Sequence, residues 1–213
     1  MKTKILTIML ILTLCLGLFT FFGCDTNKTT GLSKNEWNAM LDKSNFDNCT
    51  ITMTSKSVLT QLSDGSQIMT NETNTSKIFD NKVYVTVSGT VDGGEFTNED
   101  TLEGEEAEST RTSFVEQFAA LKYEYFDYDP ETSVYKANRS IEVPQKNIYI
   151  EFVDGEEIRT EETVTVLWEN VIVEILEEKL HKISFNTIYT NEKFQSRTEL
   201  ECILTLSNYG TTK

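Results

Sequence analysis

The chain opens with one apolar run and continues as alternating apolar and polar positions. Residues 5–22 contain no charged side chain. From residue 49 onward, apolar residues recur mostly at every second position, which is the period of a half-buried β-strand. Two stretches, beginning near Ser33 and Ser113, instead carry apolar residues at helical spacing. The pattern therefore predicts an α+β chain, with a curved antiparallel β-sheet and two helices on one side of it.

Two capping signals place the predicted helices. Ser33 and Glu36 have the spacing of a capping box, so a first helix is expected from Ser33 to about residue 44. Ser113 and Glu116 repeat that spacing, so a second helix is expected to begin at Ser113. Each helix would carry an apolar stripe, consisting of Trp37, Met40 and Leu41 in the first and Phe114, Phe118, Leu121 and Tyr125 in the second.

Turn signals divide the rest of the chain into about eight to ten strands. Asp64-Gly65 and Asp80-Asn81 delimit a three-stranded meander, and Pro130 suits the turn of a later hairpin. Short connections between the last strands predict antiparallel neighbours. Residues 90–110 break the alternation with three glycines and eight acidic residues, and are expected to form an acidic loop. The possible Ca²⁺ ligands there do not have EF-hand spacing, which favours a hydrated loop over a metal site: Asp92, Glu95, Glu99 and Asp100.

The apolar N-terminal run resembles the signal peptide of a bacterial lipoprotein. Lys2 and Lys4 precede it, and it ends in Phe21-Phe22-Gly23-Cys24, where the usual lipobox has Leu and a small residue before Gly or Ala and Cys. The resemblance implies a signal peptide over 1–23, a lipidated Cys24 with a tether over 24–32, and a single domain over 33–213. A retained N-terminal helix is the alternative, and in either case the domain is held outside the cytoplasm by its N-terminus. Two or more acyl chains on Cys24 would give stable anchoring.

The charge balance narrows the range of partners. The chain has 19 basic and 34 acidic residues, a net charge of −15, and loss of the two lysines in 1–23 would change it to −17. Such a surface repels phosphate backbones and anionic head groups, so nucleic acid is not expected as a partner. Contact with the membrane is expected through the lipid anchor alone, and the domain is expected to be a monomer.

Two cysteines remain once Cys15 and Cys24 are assigned to the signal and the lipid site. Cys49 and Cys202 both fall on the apolar side of their predicted strands, in an oxidising compartment. A disulfide between the first and last strands would fit this phase. Two buried free thiols, which are common core residues, fit it as well.

The organisation of the chain resembles a known group of carriers. An early helix with Trp37, a β-meander, a mid-chain helix and the strand pair EILEEKLHKISFNTIY are similar to LolA and LolB and to the mycobacterial lipoproteins LppX and LprG. The resemblance implies a half-open barrel with helices on its concave side, an acyl-chain cavity and no catalysis. Plain core packing is the alternative role for the candidate cavity lining: Trp37, Met53, Phe114, Phe118, Trp168, Phe185 and Leu204.

The sequence offers no convergent set of catalytic groups. His181 is the one histidine, no Gly-x-Ser-x-Gly motif is present, and a His-based zinc site would need more than one histidine. We therefore expect a protein that is not an enzyme and needs no cofactor or metal.

Two functions remain. One is a lipoprotein that binds or carries a lipid or another hydrophobic ligand, and the other is a surface interaction or sensor lipoprotein without an internal ligand. A carrier needs an apolar cavity of several hundred Å³, whereas an interaction module is packed solid.

Overall fold

Ten strands in the described part of the chain form one antiparallel sheet, and two α-helices pack on its concave side. The structure is a computed structural model that describes residues 31–153, 156–191 and 195–212, apart from the side chains of 146–162 and 191. The strands are β1 Cys49–Gln61, β2 Gln67–Phe79, β3 Lys82–Val91, β4 Gly94–Leu102, β5 Phe126–Asp129, β6 Val134–Ala137, β7 Ile141–Val153, β8 Glu156–Leu176, β9 Lys179–Asn191 and β10 Ser196–Ser207. The helices are α1 Lys34–Met40 and α2 Gly104–Ala119, with 3₁₀ turns at Lys43–Phe46 and Tyr123–Tyr125. The predicted signal peptide, Cys24 and most of the tether lie outside the described residues.

The sheet is open and the last strand lies at its centre. The strand order is β4-β3-β2-β1-β10-β9-β8-β6-β5, with β7 paired to β8 off this path. Strand β10 therefore pairs with β1, and β4 and β5 form the two ends of the path. The predicted fold class, a curved and half-open antiparallel sheet with two helices, is confirmed. Leu32–Lys213 form one compact unit. None of the helices within the described ranges has both the length and the apolar character needed to cross a bilayer.

The register of the central strands determines which residues face the helices. Ile51 lies opposite Leu206 and Met53 lies opposite Leu204, and all four belong to or pack against the core. Because side chains alternate between the two faces, the odd residues of β1 share the concave face with the even residues of β10 and β2 and the odd residues of β3 and β9.

The first helix begins as predicted and ends earlier. The Ser33 hydroxyl accepts a hydrogen bond from Glu36 N at 3.3 Å, and Glu36 Oε2 accepts one from Ser33 N at 2.7 Å, which completes the capping box. The helix ends at Met40 instead of near residue 44. The Asn45 amide donates to the carbonyl oxygens of Ala39 and Met40 at 2.9 and 3.1 Å, so these terminal carbonyl groups are satisfied where the chain turns.

The prediction of an acidic loop over residues 90–110 is wrong. Asp92 and Gly93 both have positive φ, 48° and 85°, and make a two-residue turn that leads into β4. Helix α2 then starts at Gly104, so the predicted helix start at Ser113 is also wrong. Acidic residues suit both elements, because an edge strand is protected by charged side chains and carboxylates are favourable in the first turn of a helix.

Candidate functional site on the concave face

The seven residues predicted to line a cavity all belong to the core or pack directly against it. Five of them are at most 5% exposed, whereas Met53 and Phe114 are half-buried against the same core. The rings of Trp168 and Phe185 stack with centroids 3.8 Å apart, and the Phe118 ring lies 6.4 Å from that of Phe114. The structure thus gives these side chains a packing role.

Trp37 packs the first helix against strands β5 and β6. Its indole Nε1 donates to the Leu121 carbonyl oxygen at 2.7 Å, and its ring is 5.0 Å from that of Phe126 and 5.1 Å from that of Tyr135. The Tyr135 hydroxyl also accepts a hydrogen bond from Leu32 N. These contacts fill the space between α1 and strands β5 and β6, so Trp37 contributes to the core at this point.

Three cavities lined by described residues have volumes of about 430, 430 and 360 Å³. The first lies between α2 and Pro144, the second crosses the outer face of the sheet, and the third lies beside Asn138. None of these three has any of the seven predicted residues in its lining. A ligand-lining role for those residues stays a prediction.

The concave face carries a second set of apolar side chains at the margin of the core, against which Leu200 packs. The register places them on the same face as Met53. Four of them lie toward the end of the sheet where β1 and β2 turn, and Val87 lies level with Met53. Ile68 and Val91 are 42% and 43% exposed, and the others are half-buried. We call this set the concave strip, and it consists of Leu59, Ile68, Val87, Val91 and Leu200.

Small polar side chains lie among and beside the residues of the concave strip. Ser57 and Thr70 are cross-strand neighbours on the concave face and both are half-buried. Thr187 lies opposite Leu200 and is 3% exposed, and its hydroxyl has no hydrogen-bond partner among the described residues. An unpaired hydroxyl at this depth is costly to the fold, and it is covered by its neighbours, so Ser57 and Thr70 are the polar groups open to a ligand. The surface can therefore contact both an apolar chain and a polar group.

Gly89 brings two backbones close together beside the concave strip. A Cβ atom at Gly89 would lie 2.1 Å from the Asn71 carbonyl oxygen and 3.0 Å from Glu72 Cα. Its φ is not in the left-handed region, so the requirement for glycine here is steric. The absence of a side chain lets β2 and β3 approach each other where the concave face is open.

The two cysteines are free buried thiols and do not form the disulfide considered from the sequence. Cys202 lies opposite Ser55, six residues along β1 from Cys49. At about 3.3 Å per residue the two are ~20 Å apart along the sheet, far beyond the ~7 Å limit for bridged Cα atoms. Burial raises the pKa of each thiol to about 12, and the Glu72 carboxylate adds to the effect at Cys202.

The described residues contain no group of three or more histidine, cysteine or acidic side chains that could hold a metal ion. His181 is half-buried near a register irregularity between β8 and β9. The sequence did not predict the concave strip. The alternating pattern shows which face of β3 is apolar, but it does not show how much of that face the helices cover. The signal was present in Val83, Val85, Val87 and Val91, which share one face.

Comparisons with known proteins give little similarity. No family model matches the sequence, and no curated protein matches it. Among solved structures, the chain is similar to a domain from Vibrio parahaemolyticus. The name of that domain, outer membrane lipoprotein-sorting protein domain, was itself assigned by inference. The match covers 79% of this chain and 88% of that chain at 9% identity, with a TM-score of 0.20. A TM-score this low does not establish a shared fold.

Proposed function

We propose that this protein is a lipoprotein, anchored through Cys24 on the extracytoplasmic face of a cell membrane, that binds a lipid or another hydrophobic ligand on the concave strip. The supporting observation is that a concave face retains exposed and half-buried apolar side chains beyond its packed core, with Ile68 and Val91 each more than two-fifths exposed. Concave apolar surface with a few polar groups is the usual form of a small-molecule site.

The dimensions of the concave strip suit one acyl chain. It crosses four neighbouring strands, β3 to β10, which at about 4.8 Å per strand is ~14 Å. Each CH₂ group removed from water contributes about 0.8 kcal/mol, so lengthening a ligand by two carbons should tighten binding about fifteenfold while the added carbons still find apolar surface. The affinity is therefore expected to depend on chain length.

Charge selects the head group. Glu72 lies on the concave face beside Ser55, and the whole chain has a net charge of −15. An anionic head group would be repelled, whereas the half-buried hydroxyls of Ser57 and Thr70 can bond to an uncharged polar group. We expect a neutral or zwitterionic amphiphile, such as a monoacylglycerol, to bind more tightly than a fatty acid anion of the same length.

The test uses residues 25–213, which contain the whole compact unit. Native mass spectrometry after gentle purification should detect adducts of lipid mass that delipidation removes. A fluorescent monoacylglycerol should then bind, and Ile68→Asp and Val91→Asp should each weaken its binding at least tenfold. Met69→Asp is the matched control, because Met69 follows Ile68 on β2 and points to the opposite face.

An apo mass, together with no uptake of the fluorescent lipid, would refute ligand binding. Equal losses in Ile68→Asp and Met69→Asp would refute the assignment to the concave strip. The anchor is tested separately, since Cys24→Ala in the full chain should abolish incorporation of labelled palmitate. Unchanged labelling would show that the lipid is attached to a residue other than Cys24.

A surface interaction lipoprotein without an internal ligand is the second candidate. One observation favours it, namely that the seven residues expected to line a cavity are packed in or against the core. The mass spectrometry and lipid-binding measurements separate the two functions. A protein without an internal ligand gives no lipid adduct, and its affinity for lipids does not depend on acyl length.

A further inference from the structure

The outer face of the sheet, opposite the helices, carries a groove of about 430 Å³ that crosses from β2 to β8. Its two walls are rows of cross-strand neighbours, and each row takes one residue from each strand it crosses. The row between the walls forms the floor of the groove through its backbone, because its side chains point to the concave face: Ser57, Thr70, Thr187 and Leu200. We call the two walls the apolar wall and the polar wall. The apolar wall is Met69, Val58, Glu199 and Ile188, and the polar wall is Asn71, Lys56, Glu201, Asn186 and Glu169.

The apolar wall is open to solvent. Met69 is 61% exposed and Ile188 is 46% exposed, and Val58 lies half-buried between their strands. The exposed Glu199 lies between Val58 and Ile188 in this row. Exposed apolar side chains that form a patch rimmed by polar residues typically mark an interaction site. The groove and the concave strip lie on opposite faces of the sheet, because Met69 and Ile68 are consecutive on β2. Leu200 contributes its backbone to the groove and its side chain to the concave strip.

The charges of the groove favour a basic partner. It contains three carboxylates and one ammonium group, Lys56. Glu199 forms an ion pair with Arg197 at 3.0 Å. On the polar wall, Lys56 is the cross-strand neighbour of Glu201, and Glu169 lies two strands further from Lys56, so the groove keeps an excess of negative charge. A second copy of this chain would have the same net charge of −15 and the same acidic groove, so self-association through this face is opposed.

The spacing of the wall residues suits a helix. Strands lie about 4.8 Å apart, so Met69, Val58 and Ile188 are at about 0, 5 and 14 Å along the groove. An α-helix rises about 1.5 Å per residue, so its positions i, i+3 and i+10 match these distances. The groove runs across the strands and not along an edge, which excludes strand addition as its mode of binding.

We propose that this groove docks a basic amphipathic helix of a partner protein. Its apolar stripe packs on Met69, Val58 and Ile188, and lysine or arginine side chains on one flank reach Glu201 and Glu169. This interaction is independent of the proposed lipid binding.

The test uses two labelled 14-residue helical peptides with the same leucine stripe, one with lysine and one with glutamate at the polar positions. Fluorescence anisotropy with residues 25–213 at physiological ionic strength should detect binding of the lysine peptide only. Met69→Ser with Ile188→Ser should weaken that binding at least tenfold, and so should Glu169→Lys with Glu201→Lys. The matched control is Glu95→Lys with Glu99→Lys on β4, which makes the same change in net charge outside the groove and should alter the affinity less than twofold.

Equal losses in the two charge-reversed variants would show unspecific attraction and overturn the proposal, as would binding of the glutamate peptide. A dimer in sedimentation equilibrium that Met69→Ser disrupts would assign the groove to a second copy and also overturn it. Val91→Asp should bind the peptide normally, so failure of helix docking and failure of lipid binding are distinguishable.

Discussion

Replacing Gly89 by alanine should destabilise the fold through a single atom. The added Cβ would lie 2.1 Å from the Asn71 carbonyl oxygen. Cβ atoms in proteins essentially never come closer than 3.0 Å to such an atom, so the overlap is about 1 Å. The atoms it meets belong to the backbone of the paired strand, so no side-chain rotation relieves the overlap. Strands β2 and β3 must separate, at the point where they form the open end of the concave face.

The expected loss of stability is the difference between two opposing contributions to the free energy of unfolding. Overpacking of this kind costs about 1–3 kcal/mol, and the change from glycine to alanine returns about 0.4–1 kcal/mol by restricting the unfolded chain. We expect Gly89→Ala to lower the free energy of unfolding by about 1–2 kcal/mol. With a urea m-value of about 2 kcal/mol/M, the midpoint would fall by about 0.5–1 M.

The assay is urea unfolding followed by the fluorescence of the two tryptophans, Trp37 and Trp168. Gly94→Ala is the matched control, because a Cβ there meets only the Val91 carbonyl oxygen at 3.4 Å, an ordinary contact, and its φ is not positive. That variant should stay within about 0.5 kcal/mol of the parent. If Gly89→Ala costs no more than Gly94→Ala, the two strands are not held together as closely as the structure places them.

Two further predictions concern the core. Trp37→Phe leaves the Leu121 carbonyl without its 2.7 Å donor, so the free energy of unfolding should fall by about 1–3 kcal/mol in the same urea assay, and a change below 0.5 kcal/mol would contradict this role. Cys49 and Cys202 have pKa values raised to about 12 by burial, so neither thiol should react with an aromatic disulfide reagent at pH 8 until urea unfolds the protein, and rapid reaction of the folded protein would refute their burial. Because the unfolded thiols ionise near 9.0 and the folded ones do not, the urea midpoint should also fall as pH rises from about 9 toward 12.

Local features of the fold were readable from the sequence. The capping box of Ser33 and Glu36 involves residues three apart, and the turns at Asp64-Gly65 and Asp80-Asn81 depend on residues that tolerate positive φ. Asp92-Gly93 carries the same signal, but the acidic composition around it suggested a loop. A solvent-exposed edge strand and an acidic first helical turn need few apolar residues, so composition was a poor guide there.

Alternation along the strands also identified the faces of the sheet, but not what covers them. It placed both cysteines on the apolar face, whereas their ~20 Å separation depends on the register of β10 against β1. It marked Trp37 and Phe118 as apolar, whereas their packing into the core depends on where the helices lie.

The sequence by itself determined the α+β class, most strand boundaries and the expectation of an N-terminal anchor, because each rests on residues close together in the chain. The tertiary structure alone decided which apolar residues stay exposed on the concave strip, and which side chains from β2, β1, β10 and β9 line up as one apolar wall. Met69 and Ile188 are 119 positions apart in the chain and share a groove only through three successive strand pairings. A shift of two residues in any of these pairings would keep every side chain on its face but would move Met69 away from Ile188, so the register of the folded sheet decides the site.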